Sequence, residues 1–264
     1  MTFYSLEKKP RRKLMFVLFC GVGEAFDENL TNTSILVFNK QQESLLLDCG
    51  FTAATNYWKY APHPLDLDGL YISHLHGDHF LGTSLLLLRF YEEQRTKELH
   101  IFGPAGIKEK TLQALELAYP KIKDKLPFSI VFTETCSEQE INFKNFTLLP
   151  LTSIHAIPSL GVKISSQGKT LYYSGDGQPD SNLLNHLKEV DLLILETYKA
   201  TQEVPGHSSI TSALHLAKTC QAKELALVHL NRDTRKDSQT LFQILQNNQG
   251  IKVLLPAPGT ICWL

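Results

Sequence analysis

Ser73-His74-Leu75-His76-Gly77-Asp78-His79 decides how this 264-residue chain is read. Three histidines and an aspartate stand together there, directly after the apolar run Leu70-Tyr71-Ile72 and just before Phe80-Leu81. A strand ending in a tight, glycine-containing loop turns alternate imidazoles and a carboxylate toward one point. A solvated polar loop is the plain alternative, and it fits poorly with such apolar flanks. Crowding imidazoles beside apolar chain without an ion or partner is costly. A metal removes the conflict, because neutral imidazole and carboxylate are ordinary ligands of Zn²⁺ and its neighbours.

Outward from this loop, short apolar, β-rich runs dominate the first half: Leu14–Phe19, Ser34–Phe38, Leu45–Asp48 and Leu70–Ser73. The polar break 39–43 predicts a hairpin between two of them. Phe80–Tyr91, apolar nearly all round at Leu85–Leu88, predicts a buried helix. Ile101–Pro104 reads as strand and turn, and Ala105–Tyr119 as a helix stopped before Pro120. Strands follow at Ser129–Phe132, Phe146–Leu149, Gly161–Ile164 and Thr170–Tyr173. The last third alternates: strand Leu192–Leu195, helix Ser208–Thr219, strand Leu225–Val228, helix Gln239–Gln246, strand Val253–Leu255. Clustered strands with helices between them imply sheets packed in layers with helices outside. No linker divides the chain, so residues 14–264 are read as one domain behind a basic tail, 1–13. That tail (Lys8, Lys9, Arg11, Arg12, Lys13) is read as a solvated terminus. The apolar run after it is too short, and lacks the cleavage site, for a signal peptide.

Composition narrows the function classes. Lys and Arg number 26 against 27 Asp and Glu, a net charge of −1, so no global basic field exists for coating DNA. Five scattered cysteines without a CxxC pair suit a reducing cytoplasm. No apolar run approaches the roughly 18 residues of a membrane span, so no membrane partner is expected.

His74-x-His76-x-Asp78-His79 resembles the HxHxDH signature of the metallo-β-lactamase superfamily. The other stations of that pattern appear in order: His155 after Phe146–Leu149, Asp176 in Tyr173-Ser174-Gly175-Asp176-Gly177, and His229 after Leu225–Val228. Asp48-Cys49-Gly50, at an earlier strand end, matches a further feature. Singly, each is an ordinary histidine or a turn; their co-occurrence at strand ends carries the signal. The resemblance runs from about Leu14 to the C-terminus. It implies an α/β fold, the αββα sandwich, with two mixed sheets flanked by helices. It also implies two divalent metal ions, Zn²⁺ foremost, with Mn²⁺ or Fe²⁺ as alternatives. His74, His76 and His155 would bind one, Asp78, His79 and His229 the other, and Asp176 would bridge them.

Two metals about 3.5–4 Å apart can bridge and deprotonate one water, and the resulting hydroxide hydrolyses esters, amides or phosphodiesters. Ser73–Gly82, Phe102-Gly103-Pro104-Ala105-Gly106, His155–Gly161, Glu196-Thr197-Tyr198 and Gly206-His207-Ser208-Ser209 look especially like the ribonuclease Z branch. That likeness implies a phosphodiester substrate, a small nucleotide or RNA, and a homodimer. Asp78 would also orient the nucleophile or accept its proton. His207 would protonate the leaving alkoxide, with Glu196 orienting or charging it. His207 could equally just precede the helix that Ser208 or Ser209 caps.

The chain also departs from the branch. The loop Phe26–Asn32 is acidic where the branch is basic. Only Ser165–Lys169 separates two strands where a tRNA-gripping arm would be inserted. Leu230-Asn231-Arg232-Asp233 replaces a Ser-x-Arg-Tyr run, where Arg232 either binds a phosphate or, as exposed arginines usually are, is simply solvated. Rival readings are a hydrolase of lactones, thioesters or sulfate esters, and a metal-binding module without turnover. Tyr57, Trp58 and Tyr60 either line a pocket mouth or pack under a loop. Cys49 reads as a small buried hydrophobe.

Overall fold

The computed structural model describes residues 15–180, 182–246, 248 and 250–264, so the basic tail expected at 1–13 lies outside the described residues. The chain first forms β1 (Met15–Gly21), β2 (Ser34–Asn39), β3 (Ser44–Leu47), α1 (Ala53–Tyr60) and β4 (Gly69–Tyr71). Next come α2 (Gly77–Phe80), α3 (Gly82–Glu92), β5 (Leu99–Gly103), α4 (Ile107–Ala118) and β6 (Ile130–Glu134). β7 (Ile141–Phe143), β8 (Phe146–Ile154), β9 (Ser159–Ser166), β10 (Lys169–Tyr173), β11 (Gln178–Pro179), α5 (Leu183–His186) and β12 (Leu192–Glu196) continue the chain. α6 (Ile210–Thr219), β13 (Glu224–Val228), α7 (Arg232–Lys236), α8 (Ser238–Gln246), β14 (Lys252–Leu254) and β15 (Ile261–Trp263) complete it.

Among the described residues the strands form two mixed sheets, β15-β1-β2-β3-β4-β5-β6 and β11-β8-β9-β10-β12-β13-β14, with β7 also on β8. Each is antiparallel in one half and parallel in the other, the change falling at β3/β4 and at β10/β12. The central strands β2, β3 and β12 are near-continuous apolar runs because both of their faces are covered. Met15, Val17 and Phe19 of β1 meet Val162, Ile164, Tyr173 and Ile194 between the sheets. Leu18 and Cys20 of the same strand face outward, in the layer that contains Tyr57, Leu86, Leu87 and Phe90. Leu193, Leu195, Leu225 and Leu227 pack similarly against Ile210, Ala213 and Ala217 of α6. The αββα sandwich implied by the resemblance is thus present. No helix among the described residues is long and apolar enough to cross a membrane.

Several local expectations shift. The helix expected at Phe80–Tyr91 is two helices broken at Leu81, and it is not buried all round. Leu86 and Leu87 are buried, while Leu85 faces water. Tyr57 and Trp58 lie on an unforeseen helix, α1, where Tyr57 packs edge-on against Trp58 and Phe90 and donates to the Pro64 carbonyl at 2.6 Å. These rings are packing, not a pocket mouth. β8 runs through Pro150 to Ile154, further than the sequence suggests. Pro150 is tolerated because β7 and β11 pair with other stretches of β8, so no strand is paired to β8 at Pro150 on that side.

One device recurs in both sheets. Asp68, just before β4, accepts the Ser44 amide of β3 at 2.9 Å and pairs with Lys97 and Lys144 at 2.8 and 2.5 Å. Asp191, just before β12, accepts the Thr170 amide of β10 at 2.9 Å and pairs with Lys169 and Lys223 at 3.0 and 2.7 Å. Each staples the first parallel pair of its sheet. Burial alone would raise both carboxyls. Hydrogen bonds, led by those from Lys144 to Asp68 and from Lys223 to Asp191, outweigh it and hold both below 3.8. A depressed folded pKa stabilises the fold above the unfolded value and ceases to do so as pH falls through the folded one. Asp68→Ala leaves the buried Ser44 amide without its acceptor and should cost about 1–3 kcal/mol at pH 7; the half-exposed lysines add little. Thermal melts of wild type and variant should converge as pH is lowered below 3.8. A difference that stays constant into strong acid would refute the assignment.

Candidate metal centre

The polar side chains singled out in the sequence stand at strand ends along one edge of the sandwich. β4 delivers His74 and leads through Gly77 into α2, which carries Asp78 and His79. β8 delivers His155, β10 Asp176, β12 its own last residue Glu196, and β13 His229, whose φ of +58° turns it sharply off its strand. His207 lies in the loop before α6, whose N-cap is Ser209: its Oγ accepts the Ser212 amide at 3.1 Å. The polypeptide is tightly folded here. A Cβ on Gly50 would fall 1.7 Å from the Asp78 carbonyl oxygen, so only glycine lets the loop after β3 pass this close beneath α2.

Among the described residues two donor groups draw on both sheets, and a third, Glu196, His207 and His229, overlaps the second at His229. In the first, His74 Nε2 and His155 Nε2 each lie 3.1 Å from His76 Nδ1. His155 Nδ1 donates to the Gly206 carbonyl at 2.7 Å, so its proton is on Nδ1 and its lone pair on Nε2. Ser73 Oγ donates to Asp48 at 2.7 Å and therefore accepts from His74 Nδ1 at 3.0 Å, which again frees Nε2. Burial holds His74 well below 6.5, helped by neighbouring His79, and burial followed by His155 also lowers His76. Three imidazole nitrogens thus converge on one point, an arrangement that a single cation satisfies.

The second group is buried: Asp78, His79, Asp176 and His229. His79 Nε2 lies 3.2 Å from Asp176 Oδ1, 3.4 Å from Asp78 Oδ2 and 3.4 Å from His229 Nε2. His229 Nε2 lies 3.2 Å from Asp78 Oδ2 and 3.4 Å from Asp176 Oδ2. Burial opposes charge on both carboxylates, but His229 and His79 outweigh it and hold them far below the usual range. Burial likewise opposes charge on His79 and His229, and Asp176 foremost raises them. Asp176 Oδ1 nonetheless accepts no hydrogen bond in its buried position. An orphaned carboxylate oxygen among imidazole nitrogens fits a metal ligand. The groups adjoin, with the His74 and His79 rings 4.3 Å apart, so the donors could hold two neighbouring ions.

Beside them, the His207 ring lies 5.1 Å from that of His155 and 6.2 Å from that of His229, and it stacks on Tyr198 at 4.9 Å. Its Nδ1 is 3.3 Å from Glu196 Oε1, which also accepts the amides of Ser208 at 2.8 Å and Gly177 at 3.2 Å. Glu196 thus ties together the loops that carry Asp176 and His207. Burial would lower the His207 imidazole, but pairing with Glu196 raises it above 6.5.

The structure therefore brings every singled-out residue together: His74, His76, Asp78, His79, His155, Asp176, Glu196, His207 and His229. Arg232 differs from its expected role. Its Nε is 3.0 Å from Glu24 and its Nη1 donates to the Phe26 carbonyl, so it clasps the acidic loop rather than offering itself to phosphate. The sequence marked Asp48 as a matching residue but gave it no task. Its carboxylate is fully buried and accepts the Ser73 amide at 2.7 Å, Ser73 Oγ at 2.7 Å, Tyr173 OH at 2.6 Å and His79 Nδ1 at 2.6 Å. Nothing local announces these partners. Burial also pushes the Cys49 thiol far up, in keeping with an inert hydrophobe.

Asp48→Asn would turn an amide toward some of these donors and leave at least one of them without an acceptor, at about 1–3 kcal/mol each. Calorimetry should show a lowered melting temperature. Metal analysis should show reduced occupancy, since His79 and His74 both take their orientation from this carboxylate. Full metal content in the variant would refute that dependence.

The family model described as Anti-Pycsar protein Apyc1 matches residues 15–250. Ribonuclease Z of Methanocaldococcus jannaschii is 27% identical, over 92% of this chain and 95% of its own. The metallo-β-lactamase fold protein YhfI from Bacillus subtilis is 23% identical at a TM-score of 0.80, covering 96% of this chain and 100% of that one. The short form of human tRNase Z is also 23% identical, at a TM-score of 0.77, covering 94% of this chain and 98% of its own. At such identities the solved structures show the fold, and it is the metallo-β-lactamase fold. The family model spans nearly all of the sandwich just described, and the chain belongs to the anti-Pycsar Apyc1 family.

Proposed function

We propose that this protein is a metal-dependent phosphodiesterase with a dinuclear centre, acting on a nucleotide or RNA phosphodiester. The observation that carries the reading is the pair of adjoining donor groups with a half-buried, Glu196-paired His207 beside them. His74, His76 and His155 would hold one ion, and Asp78, His79 and His229 the other, with Asp176 between them. Zn²⁺ suits imidazole and carboxylate donors best, and Mn²⁺ or Fe²⁺ could use the same set. When bound, two such ions make a water acidic and neutralise charge on a phosphoryl oxygen.

The chain's own residues supply the rest. Asp78 accepts a hydrogen bond from the attacking water and orients it, and the proton leaves to solvent. His207 delivers a proton from its imidazole to the departing oxygen, and Glu196 keeps that imidazole charged and directed. The relatives named ribonuclease Z support the diester class. A small nucleotide is favoured over tRNA by the turn between β9 and β10. Ser166 pairs directly with Lys169, and Gln167 and Gly168 close the hairpin with φ of 52° and 79°, so no arm emerges there. A cytoplasmic homodimer completes the proposal, supported by the scattered cysteines and by the frequency of twofold assemblies.

Purified protein should carry two metals per chain and cleave bis(p-nitrophenyl) phosphate. Chelation should abolish turnover, and Zn²⁺ or Mn²⁺ should restore it. Two metals without diester cleavage would redirect the search to lactones, thioesters or sulfate esters. Absence of metal under every loading condition would sink the reading.

His207→Ala should lower kcat by about 10²–10⁴-fold with metal content unchanged. Because the donor is the protonated form and its pKa is raised, wild-type kcat should fall as pH climbs through that value. The same limb should vanish from the variant's profile. Loss of metal instead would make His207 a ligand.

A further inference from the structure

Phe51 stands at an unusual place for a phenyl ring. It follows Asp48-Cys49-Gly50 and is 54% exposed, although Asp48, Cys49 and Ala53 beside it are buried. The far end of the ring reaches over Gly77. A Cβ built there would fall 2.2 Å from Phe51 Cζ and 2.9 Å from both Cε atoms. Gly77 separates His76 of the first donor group from Asp78 of the second, so the ring touches the short backbone bridge between them. The ring leaves most of its surface in water at the rim of the candidate centre.

The backbone on both sides of the ring is held. Gly50 is wedged against the Asp78 carbonyl, and a Cβ on Gly82 would fall 1.8 Å from the Gly50 oxygen. Thr52 donates its amide to Asn32 Oδ1 at 3.0 Å and accepts the Asn32 amide at 2.8 Å. Among the described residues no ring or cation stacks on Phe51. Phe26, 71% exposed on the loop that Asn32 also ties down, already faces the Arg232 guanidinium at 5.6 Å. Phe51 is therefore a rigid, open aromatic face beside the donors, preorganised for a flat ligand.

We propose that Phe51 is the platform on which the nucleobase of the substrate stacks, making it a specificity-determining residue for diesters that bear a base. This rests on the phosphodiesterase reading. Every base has a π-face, and a phenyl ring offers no hydrogen-bond donor or acceptor. The platform thus selects for a base without choosing among purines and pyrimidines.

The test compares two diesters with one leaving group, the p-nitrophenyl ester of thymidine 5′-monophosphate and methyl p-nitrophenyl phosphate. Phe51→Ala and Phe51→Leu should raise KM for the nucleoside ester by roughly 5- to 100-fold, the range base–aromatic stacking commands. They should leave kcat, and both constants for the base-free diester, within about twofold. Phe51→Trp should restore the low KM. Equal effects on the two diesters, no effect on either, or a wild-type KM in Phe51→Leu would overturn the proposal. A change in sedimentation that accompanies equal loss on both diesters would assign the ring to a contact between chains, and would overturn it too. If wild type cleaves neither diester, the phosphodiesterase reading has failed, and equilibrium binding to the metal-loaded protein decides the platform separately. Uridine 5′-monophosphate bound more weakly by Phe51→Ala, with inorganic phosphate unchanged, supports it; equal or absent nucleotide binding overturns it.

Discussion

The carboxylate of Asp48 is the interaction on which the centre depends. It is buried just after β3 with φ of +59°, in the left-handed region that aspartate enters more readily than most residues. A carboxylate in such a place is costly unless donors surround it. Those donors come from three directions: Ser73 after β4, His79 in α2, and Tyr173 at the end of β10 in the opposite sheet. The same hydrogen bonds that make the carboxylate tolerable also aim the imidazoles. His79 turns Nδ1 to Asp48 and Nε2 to the second donor group. His74, through Ser73, turns Nε2 to the first. One residue thereby orients one histidine in each group, by the logic in which outer partners fix a ligand's tautomer.

The donors also couple the site to the fold. His74, His76, Asp78 and His79 hang from the first sheet, and His155, Asp176, Glu196 and His229 from the second. Each donor group draws on both sheets, so its distances hold only while the apolar layer between the sheets stays packed. The halves are built alike, each changing from antiparallel to parallel pairing and each stapled there by a buried aspartate with two lysines. Parallel strands point their C-terminal ends the same way, which lines up the strand ends that carry the polar groups. This is the general reason ligands gather outside the carboxyl ends of such strands.

The acidic loop between β1 and β2 shows how charge can mislead when read alone. Glu24 receives the Phe26 amide and meets Arg232, and Asp27 receives the amides of Asn29 and Leu30. The carboxylates that seemed to set the loop against a phosphate are partly consumed in folding it. Arg232, the cation that could have met that phosphate, is spent on the same loop.

How much was legible follows from where each signal lives. The cluster His74, His76, Asp78 and His79 and the layered sheets are written in residue type and local spacing, whereas His155, Asp176, Glu196, His207 and His229, and the absence of an arm after β9, were legible only through the resemblance to a known family. Apolar runs marked the central strands because covered strands need them. α1 stayed hidden because its buried positions mix alanine, asparagine and tyrosine. β15 and β7 have only three residues each and exist through their pairing with β1 and β8. The extent of β8 past Pro150 depended on which neighbours that strand lacks. Only the tertiary structure could decide which nitrogen of each imidazole faces the centre, that Tyr173 reaches Asp48 across the sandwich, and that Phe51 stands open over Gly77. A hydrogen bond or a ring contact between residues far apart in sequence leaves no local pattern, because it is created when the two sheets close on each other.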